Sequence, residues 1–223
     1  MYFQFLIEDQ STKILVNHVM EKLMSQYGEE ISWDIKAFGG IGHLSKTGGV
    51  LERKTGKLLN DLPMYMKAFN KVLQNMKASA LIIVLDNDKR EVQRFRQELE
   101  HVAVSNMILC DYAFCVAVKE MEAWLLGDAK AIKEAYPDAK LQHFKRYEQD
   151  AICDTWEVLA DIVYPHGYSM LKKKAGGSYS EIGKAKCEWA DKIGNCLHLH
   201  ENLSPSYQYF IFELEKRIHA GSL

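Results

Sequence analysis

Leu81-Ile82-Ile83-Val84-Leu85-Asp86-Asn87-Asp88 is the stretch on which the fold turns. Five aliphatic residues run directly into an Asp-x-Asp. The run is short for a helix and rich in Ile, Val and Leu, which predicts a strand buried on both faces. Such strands occupy the middle of parallel α/β sheets, and ligands bind at their carboxyl ends. Asp86 and Asp88 stand at that end. On an extended backbone, side chains two residues apart point to the same side. Two carboxylates so placed suit a hard divalent cation with oxygen ligands and retained waters. The plainer alternative is a solvated loop that opens with polar residues.

The flanking chain alternates. Phe3 to Ile7 read as a first strand, ending at Glu8-Asp9-Gln10-Ser11. A helix to about Tyr27 comes next, with Ser11 or Thr12 as its expected cap and Ile14, Leu15, Val19, Leu23 and Met24 at helical spacing. Ile31 to Phe38 make a second strand, Lys57 to Lys77 a second helix and Asp88 to Val102 a third. Met107 to Val118 hold one apolar run or two, broken at Asp111. This alternation predicts an α/β domain over residues 1–136, with a largely parallel sheet flanked by helices. Beyond Pro137 strand candidates cease. Residues 150–164, 180–193 and 204–219 read as helices, so 137–223 is expected to be a helical extension packed on the first part rather than an independent domain.

The chain has 223 residues, 48% of them hydrophobic, enough for one substantial core. The net charge of −2 gives no whole-protein field that would attract nucleic acid. An odd count of five scattered cysteines points to reduced thiols. No stretch approaches the roughly 18 apolar residues of a membrane span, and the amino terminus lacks the features of a secretory signal. A cytoplasmic protein without membrane association is the expectation.

Three acidic clusters lie after strand-like runs: Glu8-Asp9, Asp86-x-Asp88 and Glu120-x-Glu122. In a parallel sheet their strand ends share one edge. Convergent carboxylates repel one another unless a cation or protons compensate, so convergence implies Mg²⁺ or Mn²⁺. On a helix Glu120 and Glu122 stand about 200° apart, and only one can face the site. Glu122 is favoured, because it opens an Ala-Trp-Leu-Leu run suited to a packed helix. Gly39-Gly40-Ile41-Gly42-His43 permits close backbone approach but lacks P-loop and dinucleotide spacing. A flexible connection is its simpler reading. Lys172, Lys173, Lys174, Lys184 and Lys186 surround Gly176-Gly177-Ser178-Tyr179, a segment able to grip a nucleic-acid backbone or merely to stay solvated. Cys187, Cys196, His198 and His200 match no standard zinc finger spacing.

Several of these pieces resemble a Toprim domain. They are Ile7-Glu8-Asp9 before a helix, Gly40-x-Gly42 followed by Leu58-Leu59-Asn60-Asp61-Leu62-Pro63, and Val84-Leu85-Asp86-Asn87-Asp88. Glu122-Ala123-Trp124-Leu125-Leu126-Gly127-Asp128 and Ser204-Pro205-Ser206 narrow the likeness. They are similar to Toprim-like proteins commonly found beside ATPases in bacterial phage-defence loci and related to OLD-type nucleases. The resemblance implies a Rossmann-like fold. It makes Glu8 a general acid/base or metal ligand, has Asp86 and Asp88 hold Mg²⁺ or Mn²⁺, and lets Glu122 complete or orient the site. One departure is Asp9, where that family usually has glycine. The implied function is Mg²⁺-dependent cleavage of nucleic-acid phosphodiesters, DNA before RNA, with an ATPase partner; the oligomeric state is open, a dimer included. The alternative is a non-catalytic Toprim-like module that binds an ATPase or nucleic acid. A phosphotransferase using Asp86 as nucleophile is a third reading.

Overall fold

The computed structural model describes residues 1–44, 55–151 and 153–221. The chain opens with β1 (Tyr2–Ile7), α1 (Gln10–Tyr27), β2 (Ser32–Ala37), α2 (Leu58–Leu73), β3 (Ser79–Asp86), α3 (Val92–Ser105) and β4 (Tyr112–Ala117). The four strands form one all-parallel sheet in the order β2-β1-β3-β4. The α/β expectation holds, and the aspartate strand β3 is internal. Its side chains alternate between two cores. Ala80, Ile82 and Val84 join one, and Leu81, Ile83 and Leu85 join the other. Burial on both faces is why β3 reads as unbroken aliphatic sequence. Edge strand β2 is exposed at every second residue and accordingly reads as a mixed sequence.

Helices α2 and α3 cover one face through Leu58, Leu62, Met66, Phe95 and Leu99. The other face is covered by α1 and by the helices after β4: α4 (Glu122–Leu126), α5 (Ala129–Ala135), α6 (Thr155–Val163), α7 (Gly167–Ala175), α8 (Tyr179–Cys196) and α9 (Pro205–Gly221). A short 3₁₀ turn, Leu141–Arg146, precedes α6. Helix α8 packs along α1, and α9 packs on β4. Trp189, Ile193, Phe210 and Leu214 share one hydrophobic cluster with Phe3, Ile7 and Val19.

Several local expectations change. Asp9, not Ser11 or Thr12, caps α1: its carboxylate accepts from the Thr12 N–H at 2.8 Å and from the Ser11 hydroxyl at 3.0 Å. Helix α3 begins at Val92, capped by Glu91, because residues 88–91 are used in a turn. Asp111 lies before β4 rather than inside it. The lysine triplet Lys172–Lys174 is the last turn of α7, a helix its local sequence does not announce. Among the described residues, no helix is long and apolar enough to cross a membrane.

Candidate functional site

Parallel pairing sets Ile7 opposite Val84. The next residue, Glu8, donates its N–H to the Val84 carbonyl at 3.3 Å, and its carboxylate Oε2 accepts the Asp86 N–H at 3.2 Å. Two carboxylates 78 residues apart thus become neighbours at the carboxyl edge of the two central strands. The β2–α2 connection closes over them. Gly40 donates to the Glu8 carbonyl at 3.0 Å, and Lys57 Nζ donates to the Gly39 carbonyl. Gly42 sits at φ +69°, where an added Cβ would lie 2.2 Å from Asn60 Oδ1. Only glycine fits that approach. Asn60 also accepts the His43 N–H, while buried Asp61 accepts from the N–H groups of Thr55 and Gly56. The glycine segment is therefore a hydrogen-bonded turn at the described residues; Gly48 and Gly49 lie outside them.

Beyond Asp86 the chain does not stay extended. Asp88 has φ +50° and points its carboxylate at Arg90 Nη1, 3.2 Å away. The expectation that Asp86 and Asp88 project in parallel is corrected here, because the strand ends at Asp86 and the backbone turns. Asp88 still adds its negative charge to the field at Glu8. Between the two aspartates, fully buried Asn87 organises the turn. Its Oδ1 accepts the Lys119 N–H at 2.5 Å and its Nδ2 donates to the Arg90 carbonyl at 2.6 Å. Asp88 N–H bonds the Lys119 carbonyl as well. These bonds draw the exit of β4, and with it the third acidic cluster, to the same edge. The only sequence signal for Asn87 is an amide between two acids at a strand end.

Glu120 and Glu122 separate, though not by helical phase: α4 begins at Glu122, and Glu120 lies in the chain before it. Glu120 Oε2 accepts from Thr155 Oγ1 at 2.7 Å and from the Trp156 N–H, holding the start of α6. Glu122 is 1% exposed and takes Lys186 Nζ of α8 on Oε2 at 3.1 Å. Its other oxygen, Oε1, is buried and has no hydrogen-bond partner among the described residues. Helix α4 is held in place behind it. Trp124 Nε1 donates to Ser206 Oγ, Asn202 Nδ2 to the Trp124 carbonyl, and Trp124 stacks on Phe210 at 4.9 Å between centroids. The Glu122–Asp128 block and the Ser204-Pro205-Ser206 segment, far apart in sequence, thus form one structural clamp.

The electrostatics arise from crowding in a dry place. Burial pushes the Glu8 carboxyl up to about 7; the Asp86 N–H and Lys186 counteract this, while Asp9 and Asp88 add to it. Asp86 is raised well above its ordinary value by burial and by the charges of Glu8 and Glu122, with Lys186 opposing. Burial raises Glu122 too, again against Lys186. Lys186 itself is held protonated: burial favours its neutral form, but Glu122, Glu120 and Asp86 outweigh that and raise it.

The other candidates scatter. Lys184 and Lys174 both pair with Glu181, at 2.7 and 3.6 Å, and Lys172 lies 5.4 Å over the Tyr168 ring. Lys173 is exposed on the same turn. Of the five lysines only Lys186 enters the acidic edge. A groove of about 580 Å³ opens beside it, between Asp9, Phe38 and Gly39 on one side and Gly183, Lys184 and Lys186 on the other. Cys187 borders that groove, whereas His198 pairs with Asp128 and His200 with Glu215.

Among the described residues, no group of three His, Cys, Asp or Glu side chains is arranged to hold a metal ion. The donor set at the edge is a pair, Glu8 and Asp86. A pair of carboxylates fits Mg²⁺, which keeps most of its waters and takes one or two protein oxygens. Comparison of the chain with protein-family models, with curated proteins and with solved structures gives no match, so the functional reading rests on these residues.

Proposed function

We propose that the chain is a Toprim-type, Mg²⁺-dependent phosphodiesterase acting on nucleic acid, DNA in the first instance. The observation that supports it is the gathering of Glu8, Asp86, Glu122 and Lys186 from four distant segments at the carboxyl edge of a parallel sheet. A partly buried acidic cluster has a cost in stability, since like charges brought together away from bulk water oppose folding. A divalent cation offsets that cost and leaves positive charge for a phosphodiester to meet. Glu8 and Asp86 would hold the cation, which when bound supplies positive charge against the phosphate and acidifies water. Without the cation the Glu8 carboxyl is pushed up to about 7; with the cation bound, Glu8 would be held ionised as its ligand. The adjacent groove gives a nucleotide a place to lie, with Lys184 at its border. A cytoplasmic setting, where the free cysteines stay reduced, and an ATPase partner belong to this reading.

The test is cleavage of single- and double-stranded DNA and RNA with Mg²⁺ or Mn²⁺. Asp86→Ala and Glu8→Gln should each lower the rate by about 10²-fold or more, with circular dichroism unchanged. Wild-type protein inert toward every substrate and cation would count against catalysis. A second reading, a non-catalytic module that binds an ATPase or nucleic acid, is favoured by the Glu122–Lys186 pair, which neutralises one carboxylate without any ligand. It expects partner binding to survive Asp86→Ala unchanged.

A further inference from the structure

Strand β2 forms one edge of the sheet and, among the described residues, pairs with β1 alone. The Ser32 and Phe38 N–H groups reach the Met1 and Ile7 carbonyls at 3.0 and 2.9 Å. Backbone groups alternate in direction along a strand, so Trp33, Ile35 and Ala37 turn their N–H and C=O groups outward. Side chains alternate between the two faces. Trp33 lies on the α1 face, where its Nε1 donates to Asn17 Oδ1 at 2.9 Å. Asp34 and Lys36 lie exposed on the α2 face. Gln4 Nε2 holds the Asp34 carboxylate at 3.2 Å, and Lys36 Nζ stands 5.9 Å over the Tyr65 ring. Phe69 stacks on Tyr65, and Val72 follows at helical spacing, 58% exposed. An apolar stripe of α2 thus runs beside the open strand.

We propose that β2 pairs antiparallel with β2 of a second copy of this chain, about a two-fold axis at Ile35, joining the two sheets into one. An unpaired edge is a template for another strand, and here the charge pattern selects which strand. With Ile35 opposite Ile35, Asp34 of each copy faces Lys36 of the other, so the axis makes the pair twice. The outward groups of the two Ile35 residues then exchange both of their hydrogen bonds, and those of Trp33 meet those of Ala37. Asp34 and Lys36 fall on the intervening pairs, where opposed side chains come closest and opposite charges attract. Moving the axis to Asp34 or to Lys36 sets like charges face to face. Moving it to Trp33 or to Ala37 gives up both Asp–Lys pairs. The two charges therefore choose the register as well as the partner. A single charge on an edge would repel a second copy; two of opposite sign, two residues apart, attract it in one register. On the same face, the α2 stripes of the two copies approach each other across the joint. None of this depends on the chemistry at the carboxyl edge of the sheet.

The experiment is analytical ultracentrifugation of the full chain, with circular dichroism to confirm the fold of each variant. Wild type should form dimers at micromolar concentration. Asp34→Lys and Lys36→Asp each place two like-charge pairs at the joint, and each should weaken the dimer about tenfold or more. The double variant Asp34→Lys/Lys36→Asp exchanges the signs and should dimerise as wild type does. Wild type that stays monomeric up to its solubility limit would overturn the proposal and leave the edge to a strand from another protein. Dimers that neither single variant weakens would also overturn it, because the contact would then lie elsewhere. Single variants that dissociate without recovery in the double variant would overturn the pairing of Asp34 with Lys36. Should Asp34→Lys fail to fold for want of the Gln4 bond, Lys36→Asp alone still decides.

Discussion

At the scale of single residues, the centre of interest is a carboxylate made uncomfortable by its surroundings. Glu8 has its folded-state value at about 7 against an ordinary 4.5. Below pH 4.5 it is protonated in both folded and unfolded chains. Between 4.5 and 7 the unfolded chain releases the proton and the folded chain keeps it, so stability falls as pH rises through this window. Above about 7 Glu8 is ionised in both and its own contribution to the slope vanishes. In metal-free protein with chelator present, the loss over that interval should be about 3 kcal/mol at most, read by urea unfolding at a series of pH values. Glu8→Gln should reduce the slope, with Asp86 and Glu122 supplying what is left, and its amide oxygen can still accept the Asp86 N–H. An unchanged slope in Glu8→Gln would place the titration elsewhere. Asn87 acts differently. It carries no charge, yet it ties the turn after β3 to the exit of β4. Asn87→Ala leaves a buried N–H and a carbonyl unmet, a loss of about 1–3 kcal/mol. The measurable consequence beyond stability is weaker Mn²⁺ binding despite every candidate ligand being present. Glu8 and Asp86 are visible in the sequence as strand-end acids. Asn87 does not stand out there, because an amide in a turn is ordinary until its partners are known.

At the scale of elements, the strands and the long amphipathic helices are legible in the sequence, and their ends are less so. Burial on both faces produces the aliphatic run of β3, and one-sided burial produces the spacing of Leu15, Val19 and Leu23 on α1. Ends depend on single hydrogen bonds. Asp9, Ser11 and Thr12 are all competent caps by type, and only the backbone geometry selects Asp9, whose own φ of −147° is extended. Asp9→Ala should therefore cost about 1 kcal/mol, a fall of about 2–4 °C in Tm for a chain of this size, whereas Thr12→Ala removes no cap. Equal effects of the two substitutions in thermal unfolding would contradict this assignment. Asp9 occupies the turn as a helix cap, so its carboxylate is engaged with Thr12 and Ser11 rather than free at the edge. Helix α7 escapes a reading of the sequence because nine residues with three consecutive lysines present little apolar periodicity; Gly167, Leu171 and Ala175 are its buried residues, and Tyr168 packs beside them.

At the scale of the whole molecule, the helices after residue 137 are part of the structure that carries the site. Helices α8 and α9 bury Trp189, Ile193, Phe210 and Leu214 in the cluster that covers one face of the sheet, and α8 delivers Lys186. Arg217 of α9 is pinned between Asp111 and Glu213, fastening the last helix to the approach to β4. A chain ending at residue 136 would expose that face, and large uncovered apolar surface leads to aggregation rather than a stable smaller domain. The truncated chain should be insoluble or lack a cooperative transition, while the full chain should unfold in a single step with coincident fluorescence and circular dichroism curves. Two separated transitions in the full chain would contradict a shared core.

The amino-acid sequence by itself determined a set of local properties: the buried strand, the helical repeats, the α/β class and the presence of acids at strand ends. Each depends on neighbours within a few residues, through the periods of helix and strand. The strand order belonged to the tertiary structure, and with it the pairing of Glu8 with Asp86, because residues 78 positions apart meet only once β1 lies beside β3. The tertiary structure likewise turned Asp88 away toward Arg90 and drew Lys186 out of a solvated-looking lysine group into contact with Glu122. Leu81–Asp88 announced a strand and two carboxylates. Packing decided that Asp86 shares its edge with Glu8, Glu122 and an ammonium, since charge partners in a dry interior are chosen by distance in space and not along the chain.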